Sequence, residues 1–541
     1  MRRLMLAPMA LLMGSTAAPV PYSAVAPAGR WCGGDFSAAE GATELLKGFG
    51  PGGFRITTRS AEAQAFFDNG MQLAHAFAHK AAIRAFQEAR RLDPECAMCA
   101  WGEAWSSGPT INYGIKPDEA KTLAAMVEDA EKLAANAPVR ERNLIGALKL
   151  RYVGATGNRD FADAMDKMAR LAPGDDALAT LAADAAMIAA DDWNETSLKR
   201  PVELLETVLG RNPDYAPAIH FYIHATEGSG FPARAEKFAD RLGVVAPAAS
   251  HLVHMPSHTY YWIGRYGDAA TVNFRAAEIG LVTDTRIEKL SGEDAEWKLL
   301  YHGHNVHFGL GGALMAGDAE VGLKLARPMI AMAERAKELP PFTQIVLGEA
   351  YMAVARFAPA GEMLAIAEPA RDRSLARALW HYARGEAFAR KGDVAAIRRE
   401  GLAIPKKMEG DKNGRYASLS AIARGVLEGR IAMLQGKHAK AAELFAAAAA
   451  VEEAKPFSDA SDPPIWWYPV RRDVAAALLA KGDAAGALAA ADASLKRRPL
   501  DPVALAIRGQ AQGKLGAKVA AARDLATAHS GWRGGRLPNG A

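Results

Sequence analysis

Apolar residues recur along most of this chain at three- and four-residue spacing, and short polar turns break the runs, which is the pattern of consecutive amphipathic helices. In AFFDNGMQLAHAFAHKAAIRAFQEARRLDP, Phe66, Gly70, Leu73, Ala82, Phe86, Ala89 and Pro94 alternate large and small positions. Small residues at Gly70 and Ala82 let two antiparallel helices approach while the aromatic rings fill the space between pairs, so this stretch reads as a helix pair. Pro213 and Pro247 lie 34 residues apart, the period of a helix-turn-helix repeat, and each closes a turn before a helical run. Between residues 106 and 200 the register is looser, with helical runs around Pro117–Ala134, Val139–Tyr152, Asp160–Leu171 and Asp176–Ala190. From Pro201 the period is regular through Ala333. A second series of pairs follows from PFTQIVLGEAYMAVARF to LDPVALAIRGQAQGKLGA. The expected fold is all-α, a right-handed superhelical solenoid of antiparallel helix pairs, with one solenoid over 61–340 and a second over 341–541.

Composition sharpens this in four places. Of the 541 residues 50% are hydrophobic and 23% charged, which is globular, and Ala-rich runs with few β-branched clusters favour helix. The net charge of +4 is small for this length and no dense Lys/Arg block is interleaved with aromatics, which argues against a nucleic-acid partner. At the N-terminus Arg2 and Arg3 precede an apolar run from Leu4 to Met13 and small residues at Ser15–Ala18 and Ser23–Ala26. Residues 1–26 therefore read as a signal peptide, 27–60 as an irregular Gly/Pro/Ser-rich leader, and the mature protein as extracytoplasmic, periplasmic or secreted, without a membrane span. Cys96 and Cys99 form a C-x-x-C at a predicted helix start, open to a disulfide or to a soft-metal or redox role, and Cys32 is left over.

The candidate chemistry lies between Pro213 and Phe308, which holds eight of the 13 histidines. His220 and His254 stand at +7 from their repeat prolines, and His224 and His258 at +11. The turns GRYGDAA and MAGDAE give a second alignment, with an offset of 50, that sets His304 opposite His254. His220, His224 and Glu227 share one helix face and His251, His254 and His258 another, so paired imidazoles can grip one ion and neighbouring helices can bring the faces together. One His pair at i, i+4 is more often a satisfied polar pair than a metal site; three stripes in register point to one or two transition-metal ions, Cu, Zn or Fe, held by His220, His224, Glu227, His251, His254, His258, His304 and His307. Ligation requires neutral imidazole, so affinity is expected to fall as pH drops through about 6.5. The remaining histidines carry weaker expectations: His75 near the groove end of the first repeat and His79 at its turn, His302, His438 and His529 at the surface, His381 as a core or capping residue. Tyr260, Tyr261, Trp262, Trp466, Trp467 and Tyr468 read as core or groove wall.

Two functional classes stay open at this stage. One is a groove that binds a peptide, protein or small molecule, with or without metal. The other is a metal-dependent oxidase or hydrolase. Nucleophile elbows, phosphate-binding Gly loops and H-E-x-x-H are missing from the sequence.

The segments CAMCAWGEA, HFYIHATE, HLVHMPSHTYYWIGRY, HNVHF, WHYARGEAFARKGD and PPIWWYPVR resemble a group of bacterial tetratricopeptide repeat (TPR) proteins with histidine-rich repeat motifs, and the likeness spans most of the chain. His302 departs from it. The resemblance implies the repeat fold, with the first helix of each pair lining a concave groove and the +7 and +11 positions facing into it. It implies no reaction.

Overall fold

The computed structural model describes residues 43–408, 410–459 and 463–538. The expected signal peptide, residues 1–26, lies outside them, as does Cys32. Among the described residues the regular structure is helical, with no strand, and the architecture is a TPR-like solenoid. Ala61–His75 packs on His79–Leu92, Gly157–Leu171 on Asp176–Ala189, Arg415–Leu434 on His438–Glu453, and Pro502–Lys514 on Lys518–Gly531. In the loosely patterned region the helices Pro117–Leu133, Val139–Arg151, Gly157–Leu171 and Asp176–Ala189 match the runs read from sequence to within a few residues.

Local chemistry explains the turns. The Gly-Asp dipeptides at Gly317–Asp318, Gly392–Asp393 and Gly482–Asp483 each close one helix and open the next. The glycine takes a positive φ of 72°, 72° and 94° respectively. The Asp side chain then accepts the backbone N–H of Val321, Ala396 or Gly486 as an N-cap. Packing follows the large-small alternation. The Phe86 ring sits where a Cβ on Gly70 or Gly102 would come within 2.8 Å or 2.4 Å of it, so both glycines are needed to seat the ring between helices.

Two departures from a regular 34-residue repeat shape the central region. The HLVHMPSHTYYW run is broken into Ser250–His254 and Pro256–Ile263, because Pro256 has no N–H to return to Leu252. Residues 280–301, inserted between Tyr266–Ile279 and His302–Ala316, then form a π turn at Gly280–Asp284, a helical turn at Thr285–Ile287 and a 3₁₀ turn at Ala295–Lys298. This insertion explains why the second alignment has an offset of 50.

An open concave groove is not what the molecule presents. The N-terminal segment crosses the middle of the chain: Ala248 donates to the Gly48 carbonyl (2.9 Å), and Arg84 donates to the Ile287 carbonyl (2.7 Å). From the other side the last repeats return to the same region, with Tyr266 donating to the Pro499 carbonyl (2.8 Å), the Arg533 amide to the Ala316 carbonyl (2.8 Å) and Tyr261 to the Trp467 carbonyl (3.3 Å). The face expected to line a groove is thus packed from both ends. It is an interior.

Candidate metal centre

Four helical segments carry the histidines: Ala216–Gly228, Ser250–His254, Pro256–Ile263 and His302–Ala316. The last of these approaches Tyr266–Ile279 so closely that a Cβ on Gly312 would lie 2.8 Å from the Ala270 amide nitrogen, while Gly309 leaves space beside Asn273. Glycine at these two places therefore lets His304 reach its neighbours. His220, His224, His251, His254, His258 and Glu227 are all buried, and His304 keeps some exposed surface.

The side chains gather into three adjoining groups, in each of which one ligand atom per residue lies within 4.8 Å of the others: His220, His224 and His251; His254, His258 and His304; and His224, Glu227 and His258. His224 and His258 each belong to two of them, so the groups form one continuous cluster. His307 is in none of the three, although sequence spacing placed it among the ligands. One turn beyond His304, its Nε2 lies 3.1 Å from Oε1 of Glu349, a fully buried carboxylate on the next helix but one, Pro341–Phe357. Nor does the shared +7 position bring His220 to the same point as His254 and His304. Helices packed side by side are displaced by about 8 to 10 Å, so equal repeat positions form a row and not a point.

Three hydrogen bonds fix which nitrogen the histidines offer. Nδ1 of His220 is 2.7 Å from the His75 carbonyl, Nδ1 of His254 is 2.6 Å from Oδ1 of Asn273, and Nδ1 of His258 is 2.9 Å from Oε2 of Glu227. Each partner accepts. Asn273 is oriented by its own amide, which donates to the Ala269 carbonyl (2.7 Å), and Trp262 Nε1 donates to the other Glu227 oxygen (2.8 Å). The Nδ1 atoms of these three rings therefore carry hydrogen and their Nε2 atoms carry lone pairs, as in imidazoles whose outer hydrogen bond orients them toward a metal ion.

Those Nε2 atoms face one another. His254 Nε2 and His258 Nε2 are 3.0 Å apart, and His220 Nε2 and His251 Nε2 are 3.1 Å apart. The second contact can be an ordinary hydrogen bond if His251 carries its hydrogen on Nε2. The first cannot be one while both rings are neutral, because both Nδ1 atoms already donate. Two lone pairs at this separation need positive charge between them, either a proton or a metal ion. Burial, reinforced by the neighbouring imidazoles, pushes His224, His251, His254 and His304 well below the ordinary histidine range, and burial brings His220 down to about 3. These five imidazoles resist protons and stay in the neutral form that a metal ion requires.

Other histidines complete the surroundings. His75 supports His220 through its carbonyl and packs edge-on to Phe221; burial lowers it to about 3, and His79 likewise. His302, expected at the surface, is buried with its ring edge-on to Trp297 at 4.7 Å, because the 280–301 insertion covers it; burial lowers it to about 4. His381 lies outside the cluster, 2.8 Å from Glu400. Cys96 and Cys99 are joined in a disulfide at the start of Ala97–Ser106. The supporting residues Asn273 and Glu349 were not found by sequence reasoning, since neither stands at a repeat position occupied by histidine. Of the aromatic residues, Trp262 touches the site through Glu227, whereas Tyr260, Tyr261, Trp466, Trp467 and Tyr468 are buried packing.

A cavity of about 340 Å³ reaches from the surface at Lys298 to His251, with Phe77, Tyr301, His302 and Asn305 on its walls. Phe77 has a positive φ of 57°, a costly conformation for a bulky residue, and is held there by its ring, stacked on His251 at 4.8 Å and edge-on to His220 at 4.5 Å.

No protein-family model matches the chain, and no curated protein matches it. Solved helical-repeat structures align with it at low similarity. The human IFIT1 dimer with m7Gppp-AAAA has 13% identity and a TM-score of 0.27 over 88% of this chain and 91% of that one. The Cut9–Hcn1 hetero-tetramer of the APC/C has 10% identity and a TM-score of 0.28 over 88% and 78%. The TPR domain of P58(IPK) has 13% identity and a TM-score of 0.22 over 84% and 99%. Likeness at this level says nothing about what this chain binds.

Proposed function

We propose that this TPR-like solenoid is an extracytoplasmic metal-binding protein that holds one or two transition-metal ions, Cu, Zn or Fe, within its histidine cluster and receives a small molecule there. The observation that carries the reading is the 3.0 Å contact between Nε2 of His254 and Nε2 of His258, whose Nδ1 atoms are both committed to acceptors. Ligands about 2.0 to 2.1 Å from a common ion, at angles of about 90 to 110°, lie about 2.8 to 3.4 Å apart, so this separation suits two nitrogens on one ion. His304 completes that set, and His220, His224 and His251 form a second. Glu227 orients His258 by accepting its Nδ1 hydrogen and is itself held by Trp262. A bound ion would supply Lewis acidity or, for Cu and Fe, redox capacity; the protein contributes neutral ligands, fixed tautomers and a water-poor interior.

The alternative, a protein-binding scaffold independent of metal, needs an open concave face over the histidines, and the packing of both chain ends onto that face counts against it. Access for a small molecule is supported by the cavity that ends on His251. The extracytoplasmic assignment rests on the N-terminal Arg2-Arg3 and apolar run, with the Cys96–Cys99 disulfide in accord.

The test is elemental analysis of protein produced with Cu, Zn and Fe supplied in turn, beside His254→Ala and His220→Ala variants and a variant with His220, His254 and His304 all changed to Ala. Native protein should carry up to two equivalents, each single variant should lose one set, and the triple variant should be metal-free yet helical by circular dichroism. Equal, near-zero metal in native and triple-variant protein would overturn the reading and leave a protonated His258–Glu227 pair as the source of the short contact.

A further inference from the structure

The cavity beside His251 has a charge pattern of its own. At about 340 Å³ it falls at the lower end of the range for small-molecule sites, large enough for a metabolite and too small for a folded segment of another protein. Four charged side chains line it: Lys80, Asp284, Glu288 and Lys298. Lys80 and Glu288 face each other at 3.9 Å and largely answer one another. Asp284 accepts the Ser250 hydroxyl but makes no ion pair among the described residues, and the same is true of Lys298. One carboxylate and one ammonium on the same cavity thus remain without counter-charges. Asp284 is held in place by the π turn Gly280–Asp284, a local deviation often found where a side chain must be re-aimed at a ligand.

The inner lining is uncharged. His251, His302 and Asn305 lie on this part of the wall. Phe77 and Tyr301 stack at 6.0 Å and give the cavity a flat apolar wall. A guest that satisfies every part of this lining has a cationic end, an anionic end and an apolar body.

We propose that the cavity binds a zwitterionic amino acid or dipeptide with a large apolar side chain, its ammonium at Asp284, its carboxylate at Lys298 and its side chain against Phe77 and Tyr301. Such a guest lies against His251 and so adjoins the His220–His224–His251 group. The inference extends the metal reading by naming what comes to the site, but binding to Asp284 and Lys298 needs no ion.

The experiment is therefore a titration of chelator-treated, metal-free protein, read by the fluorescence of Trp297, which packs on His302. The probes are L-phenylalanine and L-leucine, with 2-phenylethylamine, lacking the carboxylate, and 3-phenylpropionate, lacking the ammonium. Phenylalanine should bind about tenfold more tightly than 3-phenylpropionate and about three- to fivefold more tightly than 2-phenylethylamine. Asp284→Asn should abolish its advantage over 3-phenylpropionate. Lys298→Met should abolish its advantage over 2-phenylethylamine, a loss of about three- to fivefold because that charge is exposed. No binding of either amino acid at millimolar concentration, or equal binding of phenylalanine and phenylethylamine, would overturn the proposal. Metal in the native protein without amino-acid binding sinks this inference alone; amino-acid binding in a protein that never takes up metal sinks the metal reading alone.

Discussion

Asn273 decides which nitrogen His254 can offer. Its Oδ1 takes the Nδ1 hydrogen and its own amide is anchored on the Ala269 carbonyl, so the ring is fixed in both tautomer and orientation. Asn273→Leu should keep the helix and lower metal affinity by about ten- to a hundredfold, measured by competition with a chromophoric chelator. An unchanged affinity would mean that His254 is not a ligand. A different single residue governs stability far from the cluster. Arg356 has Nε and Nη2 buried without acceptors, beside the Trp467 ring at 4.9 Å and the Trp532 ring at 5.5 Å. Burial, with a smaller contribution from the Arg472 cation, brings it down to about 10. The residue as a whole is half-buried, but two guanidinium nitrogens kept from water without a carboxylate are costly, and a hydrophobic residue of similar length removes that cost. Arg356→Met should therefore raise stability by about 1 kcal/mol, seen as a higher denaturation midpoint at unchanged slope. A lower midpoint would show that the aromatic contacts outweigh the burial of charge.

At the scale of the helices, burial of so many imidazoles links stability to pH. His75, His79 and His220 are lowered to about 3 and His302 to about 4, all by burial, while the unfolded chain titrates near about 6.5. Between those values the unfolded state binds more protons than the folded one, so stability is fully present above about 6.5 and is lost as pH falls toward about 3. Each such group contributes a slope approaching about 1.4 kcal/mol per pH unit in that window. Metal-free protein should show a melting temperature that is level above pH 6.5 or so and drops steeply below it. The same shifts correct the pH expected from a free imidazole: the folded ligands remain neutral below about 6.5, so metal bound at neutral pH should still be retained near pH 5 or so, where a surface histidine site would have released it. Equilibrium dialysis across this range decides the point.

Across the whole molecule, the packing of both ends onto the middle changes what a terminal repeat is worth. In an open solenoid the last helix pair contributes its own stability and one interface. Here the residues around it also cover the central helices, through Tyr266 on Pro499, Arg533 on Asp268 at 3.1 Å, and Trp532 against Gly317. Deleting residues 499–538 should thus expose the turn at Gly264–Arg265, more than two hundred residues away in sequence, to limited proteolysis; cleavage confined to the new C-terminus would show that the ends fold independently.

What the sequence determined by itself was periodic and local. The large-small alternation at Phe66, Gly70, Ala82 and Phe86 defines a helix pair, the Gly-Asp dipeptides mark the turns, and the +7 and +11 histidines fall on one face of successive helices. Each depends only on spacing along the chain and on backbone preferences that act within a few residues. Tertiary structure decided the rest. The division of the histidines into adjoining groups depends on the sideways displacement of packed helices, and the loss of His307 to Glu349 depends on a helix that begins more than thirty residues later. The conversion of a groove into a buried interior depends on Gly48 meeting Ala248 and Pro499 meeting Tyr266. Contacts between residues hundreds of positions apart leave no period in the sequence, because they are fixed by the accumulated rotation of every repeat between them.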